Sequence, residues 1–175
     1  TIHGLNLQNG HTYFATVKAL DFANRTSFST SSGITVDHTA PLTTVNVISI
    51  DDRHLNDVNK VAACWRDVFE DKESGIERYE WAVGSQPGYC DIMPYTVVYE
   101  ECSESSSSSR INLQEGHAYF VSVKGYNGVG LSTTTISWAF TVDASPPIPG
   151  NVYDGKLVPG KTVKDLDFTT DKSGL

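Results

Sequence analysis

The sequence predicts an all-β chain of Greek-key β-sandwich units in tandem, one complete unit flanked by two partial ones. Two observations lead to this expectation. The 175 residues are rich in Ser, Thr, Val, Tyr and Gly, with short alternating runs between turn residues and no long amphipathic periodicity. In addition, residues 5–41 recur at residues 111–147, an offset of 106, with 14 of 37 positions identical. That period matches a sandwich of roughly 100 residues.

The repeat divides the chain into three parts. Pro41 and Pro147 each follow a Thr-Val-Asp run, and proline ends a strand because it lacks the amide that a ladder needs. We therefore expect the C-terminal strands of a preceding repeat in residues 1–41, a complete unit in residues 42–147, and the first strand or strands of a following repeat in residues 148–175. The two partial units together still lack strands from the middle of the complete unit. They cannot complete each other, and the chain is expected to be a segment of a longer array.

Seven strand candidates, A, B, C, C′, E, F and G, can be placed in the complete unit. In chain order they are Thr44–Ile50, Val61–Val68, Ile76–Gly84, Tyr95–Glu100, Arg110–Leu113, His117–Tyr126 and Leu131–Val142. Alternation directs Trp65 of strand B and both Tyr79 and Trp81 of strand C toward the core. The spacing Leu-x-x-Gly-x-x-Tyr that ends at Tyr119 predicts a tyrosine corner, and the same spacing ends at Tyr13.

These features resemble the fibronectin type III family. The similarity lies in Trp65, the Ile-x-x-Tyr-x-Trp pattern that ends at Trp81, the tyrosine corners, and the Val-Lys pair in strand F. More narrowly, the run from Phe69 to Gly88 and the Thr-Val-Asp-x-x-x-Pro junction are similar to a divergent repeat of large extracellular proteins. The resemblance covers the whole chain across three successive repeats, and it implies a Greek-key sandwich in an extracellular setting. It implies no single activity, because this fold serves adhesion, receptor and scaffold roles.

The sequence lacks the usual signatures of catalysis and of metal binding, so we expect no enzyme, no catalytic residue and no metal ligand. None of the five histidines has a second His or Cys at the spacing of metal ligands. His11 and His117 occupy the same turn of the two copies, which favours a structural role. No nucleophile elbow, phosphate-binding loop or dinucleotide fingerprint occurs in the sequence.

Acidic residues gather at the turns near the expected domain ends, among them Asp37, Asp71, Glu73 and Asp143. Oxygen clusters between tandem domains can bind Ca²⁺ and stiffen the junction. No ordered ligand ladder such as an EF-hand loop is visible, so turn capping with a gain in solubility is the favoured interpretation. We therefore expect no cofactor, with calcium at the junctions as the alternative.

The three cysteines predict one disulfide and hence an oxidising compartment. The favoured pairing is Cys90–Cys102, whose members flank strand C′. A fully extended strand C′ would hold its ends about 20 Å apart, too far for a bond, so this pairing needs a turn at Met93-Pro94. Cys64 on strand B is the competing partner for Cys102, and three free thiols are the third possibility. Any single bridge leaves one odd cysteine.

Two segments are candidates for glycosylation. Asn24 begins the only Asn-x-Ser/Thr sequence, in the expected F–G turn of the first copy. An exposed hairpin loop of a secreted protein is where an N-glycan is attached. The run Ser103–Ser109 is expected to form a solvated loop, with O-glycosylation as the alternative.

Charge and hydropathy exclude two classes of partner. The formal charge of −8 and the lack of a Lys/Arg cluster argue against a nucleic-acid surface. No apolar run approaches the roughly 20 residues that cross a bilayer.

We therefore expect a non-enzymatic structural and interaction module of a large secreted or cell-surface glycoprotein, as a segment of an extracellular fibre. Its expected partners are neighbouring repeats of the same polypeptide, further copies or other extracellular proteins, and an N-linked glycan. One alternative is a spacer array in an adhesin or receptor ectodomain that binds a protein or glycan ligand. Another is a carbohydrate-binding module built on Phe120, Tyr126 and Trp138.

Overall fold

A computed structural model of the chain describes residues 4–50, 54–105 and 111–150. The regular elements in these residues are all β-strands, so the all-β prediction is confirmed. The strands are β1 Thr12–Tyr13, β2 Thr16–Leu20, β3 Thr26–Thr30, β4 Ile34–Thr35, β5 Leu42–Thr43, β6 Ser49–Ile50, β7 His54–Leu55, β8 Ala62–Cys64, β9 Phe69–Glu70, β10 Ile76–Gly84, β11 Met93–Val98, β12 Cys102–Glu104, β13 Ala118–Asn127, β14 Ser132–Ile136 and β15 Phe140–Val142. Within the described residues, no helix could span a membrane.

The chain divides into two compact units, Thr1–Ala144 and Ser145–Leu175. Only residues 145–150 of the second unit are described, and they lie outside strands. The following repeat predicted at residues 148–175 therefore falls almost wholly outside the described residues. All the contacts below belong to the first unit.

The largest sheet of the first unit is built around β13. Its strand order is β11-β10-β13-β15-β7, and β14 also pairs with β13. The pairings are antiparallel except that of β15 with β7. The predicted strand C, Ile76–Gly84, matches β10 in full. The predicted strand G is broken into β14 and β15, because Ser137 places its side-chain hydroxyl, instead of a ladder carbonyl, against the backbone amide of Val121.

A second sheet has the strand order β12-β8-β6. The prediction of strand E is wrong for residues 111–113, which form no strand, and Arg110 lies outside the described residues. The strand that pairs with β8 is β12 instead. The apolar side chains of Ile111 and Leu113 are nevertheless buried. Their alternation in the sequence reports burial correctly, although the backbone makes no ladder there.

Side chains from both sheets form one core. Trp65 directly follows β8. The centroid of its ring lies 5.7 Å from that of Tyr79 and 6.1 Å from that of Trp81. The buried residues that form this core are Ile48, Val61, Ala63, Trp65, Val68, Phe69, Tyr79, Trp81, Val83, Met93, Ile111, Leu113, Tyr119, Val121, Val123, Phe140 and Val142. Two mainly antiparallel sheets that share a core in this way are compatible with a β-sandwich.

The two copies of the sequence repeat follow the same backbone path. β1 pairs with β4, and β2 with β3, in the registers that β13 makes with β15 and β14, displaced by 106 residues. Gly10 and Gly116 have φ values of 73° and 74° in equivalent turns, a region that glycine enters without strain. The hydroxyl of Tyr13 accepts a hydrogen bond at 2.9 Å from the backbone amide five residues before it. The hydroxyl of Tyr119 accepts the equivalent bond in the second copy at 2.8 Å. The tyrosine corner therefore forms twice.

Candidate functional site

A polar cluster joins the end of the first copy to the large sheet. This junction cluster consists of Asp37, Asp71, Glu73, Ser74 and Asn127. The Asp37 carboxylate Oδ2 accepts hydrogen bonds from Ser74 Oγ at 2.5 Å and from Asn127 Nδ2 at 2.9 Å. Asp37 is 8% exposed and Asn127 is fully buried. Burial strengthens these bonds, because little water competes for the donors and acceptors.

Asn127, the last residue of β13, is oriented by bonds at both ends of its side-chain amide. Its Oδ1 accepts from two backbone amides of the following loop, at 2.8 Å and 3.3 Å. Its Nδ2 therefore faces the junction, where it also donates to the Thr39 carbonyl at 2.8 Å and to Asp71 Oδ2 at 3.1 Å. One NH₂ group has two hydrogens, so its three acceptors share them.

The local sequence Asp-Lys-Glu-Ser-Gly folds into the turn that presents this cluster. Asp71 Oδ1 accepts from the backbone amides of Ser74 at 2.9 Å and Gly75 at 3.2 Å, and Gly75 takes the positive φ of 71° that the turn requires. The Gly128 amide donates to Ser74 Oγ at 3.1 Å. The hydroxyl of Ser74 thus links the loop after β13 to Asp37.

Further bonds fix the segment between the first copy and β5. Asn9 Nδ2 donates to Glu73 Oε1 at 3.0 Å, while Asn9 Oδ1 accepts from the His38 amide at 2.6 Å. Thr133 Oγ1 donates to the Pro41 carbonyl at 2.5 Å. The connecting segment is therefore held from both sides along its length.

The cluster concentrates negative charge. Carboxylate oxygens of Asp37, Asp71 and Glu73 all lie within 4.8 Å of one another. The Ser74 hydrogen bond is the largest of the effects that lower the pKa of Asp37, and it outweighs the opposing effect of burial. Asp37 also accepts from the Thr39 amide at 2.9 Å, so the carboxylates cap turns as the favoured interpretation expects. Oxygens in this arrangement are also of the type that Ca²⁺ takes, and calcium at the junction stays a prediction.

Sequence reasoning did not select Ser74 or Asn127 as site residues. The repeat contains a signal for Asn127, because its counterpart in the first copy is Asp21, whose Oδ1 also accepts from two backbone amides of the next loop, both at 2.9 Å. The shared capping role is therefore visible as a polar residue at both positions. That Asn127 also meets Asp37, 90 residues earlier in the chain, depends on tertiary structure alone.

The structure corrects the disulfide prediction. Cys64 is bonded to Cys102, and Cys90 is a free, exposed thiol. Cys64 and Cys102 are register partners in the β8–β12 pair, with Cα atoms 4.0 Å apart. The favoured Cys90–Cys102 pairing fails because Met93–Val98 forms a continuous strand with no turn at Met93-Pro94, which keeps Cys90 away. The competing pairing that the sequence left open is the one that forms.

The two glycosylation candidates differ in position. Asn24 lies in the short loop between β2 and β3, is exposed, and has a φ of 60°. Ser103 lies in β12, and Ser105 is buried, with its Oγ accepting from the Val61 amide at 2.9 Å. The solvated-loop prediction is therefore wrong for residues 103–105, and residues 106–109 lie outside the described part of the chain.

The aromatic residues predicted for the core fall into two environments. Trp65, Tyr79, Trp81 and Tyr119 are buried, and Tyr13 is half-buried.

The carbohydrate-binding candidates do not form a common free platform. The guanidinium of Arg78 lies 4.0 Å from the Tyr126 ring centroid, and the Tyr126 hydroxyl donates to Glu80 Oε2 at 3.0 Å. Trp138 is largely exposed, whereas Phe120 is half-buried.

His11 and His117 each place Nδ1 3.1 Å from the carbonyl oxygen two residues earlier. The same contact in both copies agrees with a structural role in the turn.

No protein-family model matches the chain, and a search of curated proteins finds none that matches it.

Proposed function

We propose that this chain is a segment of a tandem array of fibronectin-III-like Greek-key sandwiches, in which residues 1–41 end one repeat and residues 42–147 form the next. Its role would be structural and non-enzymatic, in a large secreted or cell-surface glycoprotein that forms an extracellular fibre. The partners would be adjacent repeats, further copies or other extracellular proteins. The Cys64–Cys102 bridge supports an oxidising compartment.

The junction cluster is the observation that most supports this role. An array transmits force or spaces its surfaces only if successive units keep a set orientation, and free linkers leave domains mobile. Here Asp37, at the end of one copy, is bonded to Ser74 and Asn127 of the next unit. Buried hydrogen bonds to a carboxylate contribute more than neutral exposed ones. The junction would therefore act as a stiff joint.

The test measures whether the first copy and the sandwich tumble as one body. Residual dipolar couplings of β1–β4 and of β10 and β13 should fit one alignment tensor in the native chain. In the double variant Asp37→Ala, Asn127→Ala, the two regions should need separate tensors, while the sandwich itself stays folded.

Asp143→Ala is the matched control, because Asp143 is the counterpart of Asp37 in the second copy. It should leave the single tensor intact. Two independent tensors in the native chain would refute the stiff joint. Electron microscopy of concentrated chains distinguishes the two candidate roles. A fibre segment should show regular lateral packing, whereas a spacer array should remain as single chains.

The array would also bear an N-glycan at Asn24. The side chain is exposed in a loop between two paired strands, and the loop is capped by Asp21, so a glycan would project into solvent without disturbing β2 or β3. Expression through a eukaryotic secretory pathway should add a mass that peptide N-glycosidase removes. Asn24→Gln and Thr26→Ala should both abolish that mass, whereas Asn9→Gln should not.

A further inference from the structure

The first copy presents an apolar face that its own residues do not cover. This uncovered face consists of Leu5, Ala15, Val17, Ala19 and Ile34. Leu5, Val17 and Ile34 are 63%, 66% and 69% exposed. The face borders an open groove of about 700 Å³, whose lining includes Leu5, Ala15 and Ile34. Contiguous exposed apolar surface of this kind marks a site of association.

The second copy shows what covers such a face. The counterparts of Leu5, Val17 and Ile34 at an offset of 106 are Ile111, Val123 and Phe140, and all three are buried. They are covered by the front half of the sandwich, residues 42–105, which contributes Trp65 and Trp81 to the shared core.

The uncovered face also has an open hydrogen-bonding edge beside it. In the second copy β13 pairs with β10 on one side and with β14 on the other. Its counterpart β2 pairs with β3, and in the described residues it has no counterpart of β10. An open edge next to an apolar face accepts a sheet through both main-chain bonds and side-chain packing.

We propose that the uncovered face docks the front-half sheet of the repeat to which residues 1–41 belong, and that Ala19 excludes the front half of the neighbouring repeat, residues 42–105. The proposal rests on the tandem array proposed above. The partner is thus a β-sheet polypeptide with an alternating aromatic and aliphatic face, and with a side chain smaller than Phe opposite Ala19.

The basis for the exclusion is a single methyl group. Gly125 occupies the position of Ala19 in the second copy, and a Cβ placed on Gly125 would lie 2.8 Å from the ring of Phe69. Real Cβ atoms do not approach a ring so closely, and Phe69 is held in the core by packing on Tyr79. A front half that carries Phe at this position therefore cannot seat on Ala19 without displacing its ring.

At two further positions the first copy has the smaller side chain of the two copies. Ala15 replaces Val121, and Ile34 replaces Phe140, so the uncovered face has more space than its counterpart at these positions. The partner sheet must fill that space with larger side chains. Together the three differences allow a repeat to select its own front half, which protects an array against pairing of the wrong halves during folding.

The experiment extends the full chain by one front half. A second copy of residues 42–106 is joined directly to Thr1, because the offset of 106 gives Thr1 the place of residue 107. Two versions are compared, one with Phe69 and one with Phe69→Leu in the appended copy. The readout is hydrogen exchange of the β2 amides that point away from β3.

With Phe69→Leu appended, these amides should exchange at least about a hundredfold more slowly than in the native chain, and with Phe69 the gain should be at least tenfold smaller. Ala19→Gly should restore full protection to the Phe69 version. Val17→Asp should abolish protection, whereas Thr16→Asp, on the opposite face of β2, should keep it.

Equal exchange with and without the appended half, in chains whose β13 amides stay protected, would overturn the proposal. Protection of β2 in the native chain that grows with concentration and accompanies a dimer in sedimentation would also overturn it, because a second copy would then cover the face. Neither result depends on the Asp37 variants, so failure here is distinguishable from failure of the stiff joint.

Discussion

Residues 5–41 and 111–147 fold alike but are buried differently. Both copies have the same registers, the same tyrosine corner and the same positive-φ glycine in the turn. Yet Val123 is fully buried and its counterpart Val17 is mostly exposed. The contrast shows that turn chemistry and hairpin register are local properties of the sequence. Burial is not local, because it depends on the front half, which covers the apolar face of the second copy but leaves that of the first copy exposed.

The largest expected effect comes from placing a carboxylate at one of two equivalent valine positions, one in each copy. Val123→Asp should lower the free energy of unfolding by more than about 3 kcal/mol, because it buries an unpaired charge. Val17→Asp should change it by no more than about 0.5 kcal/mol, because the side chain already meets water. Urea unfolding monitored by tryptophan fluorescence measures both. Similar losses in the two variants would mean that the first copy is covered in solution.

Removing the disulfide should affect the second copy and spare the first. The double variant Cys64→Ala, Cys102→Ala opens a loop with a sequence separation of 38 residues, which should lower the free energy of unfolding by about 4 kcal/mol. Hydrogen exchange should accelerate in β8, β12 and β13 but not in β2. Cys90→Ser is the control and should leave stability unchanged, whereas a loss of stability there would contradict the Cys64–Cys102 assignment.

The tyrosine corners allow a smaller test of the same contrast. Tyr119→Phe removes a half-buried hydrogen bond and should cost about 1 to 1.5 kcal/mol of unfolding free energy. Tyr13→Phe removes the equivalent exposed bond and should cost about 0.5 kcal/mol or less. Chemical denaturation gives both values. Equal costs would show that the corner acts within each hairpin and gains nothing from the surrounding core.

Acid should separate the two regions at the junction cluster before it unfolds the sandwich. The pKa of Asp37 in the folded chain lies below its ordinary value, chiefly through the Ser74 hydrogen bond. The contribution of Asp37 to the stability of the joint is therefore complete above its pKa in the unfolded chain, about 3.9. This contribution is lost as the pH falls through the lower pKa of the folded chain. Dipolar couplings recorded between pH 6 and pH 2.5 should require a second alignment tensor only below about pH 4.

Asp37→Asn should remove most of that pH dependence. If one alignment tensor fitted the native chain at every pH until the chain unfolds completely, the acid-sensitive joint would be contradicted.

Calcium should have the smallest effect. The Asn127 amide already donates to Asp37 and Asp71, so a cation would have to displace it. Millimolar Ca²⁺ should raise Tm by less than about 1 °C, and EDTA should not lower it. A rise of several degrees that disappears in Asp71→Asn would instead establish the calcium alternative.

Much of the architecture follows from the sequence because it is encoded in short-range patterns. Alternation identifies β10 and the inward-facing Trp65, Tyr79 and Trp81, since the side-chain period of a strand is two. The misplaced strand E shows the limit of this reasoning. Ile111 and Leu113 alternate and are buried, but the ladder partner of β8 is a polar stretch that composition marks as a loop.

The candidate site was predictable only in part. Asp37, Asp71 and Glu73 stand out as acidic turn residues, but their convergence joins positions up to 36 residues apart through the path of the chain between them. Asn127 was not selected, because a single asparagine after a strand is an ordinary turn residue. The prediction of the disulfide was wrong for a related reason. Proximity along the chain favoured Cys90 as the partner of Cys102, whereas the strand register places Cys64 beside it.

By itself the sequence determined the strand-forming character of the chain, the two equivalent hairpin sets and their tyrosine corners, because turns and alternation act over a few residues. The tertiary structure alone decided which cysteines are bonded and which polar groups meet at the junction. Those outcomes depend on the relative placement of residues distant in the chain, and that placement results from packing the two sheets into one core.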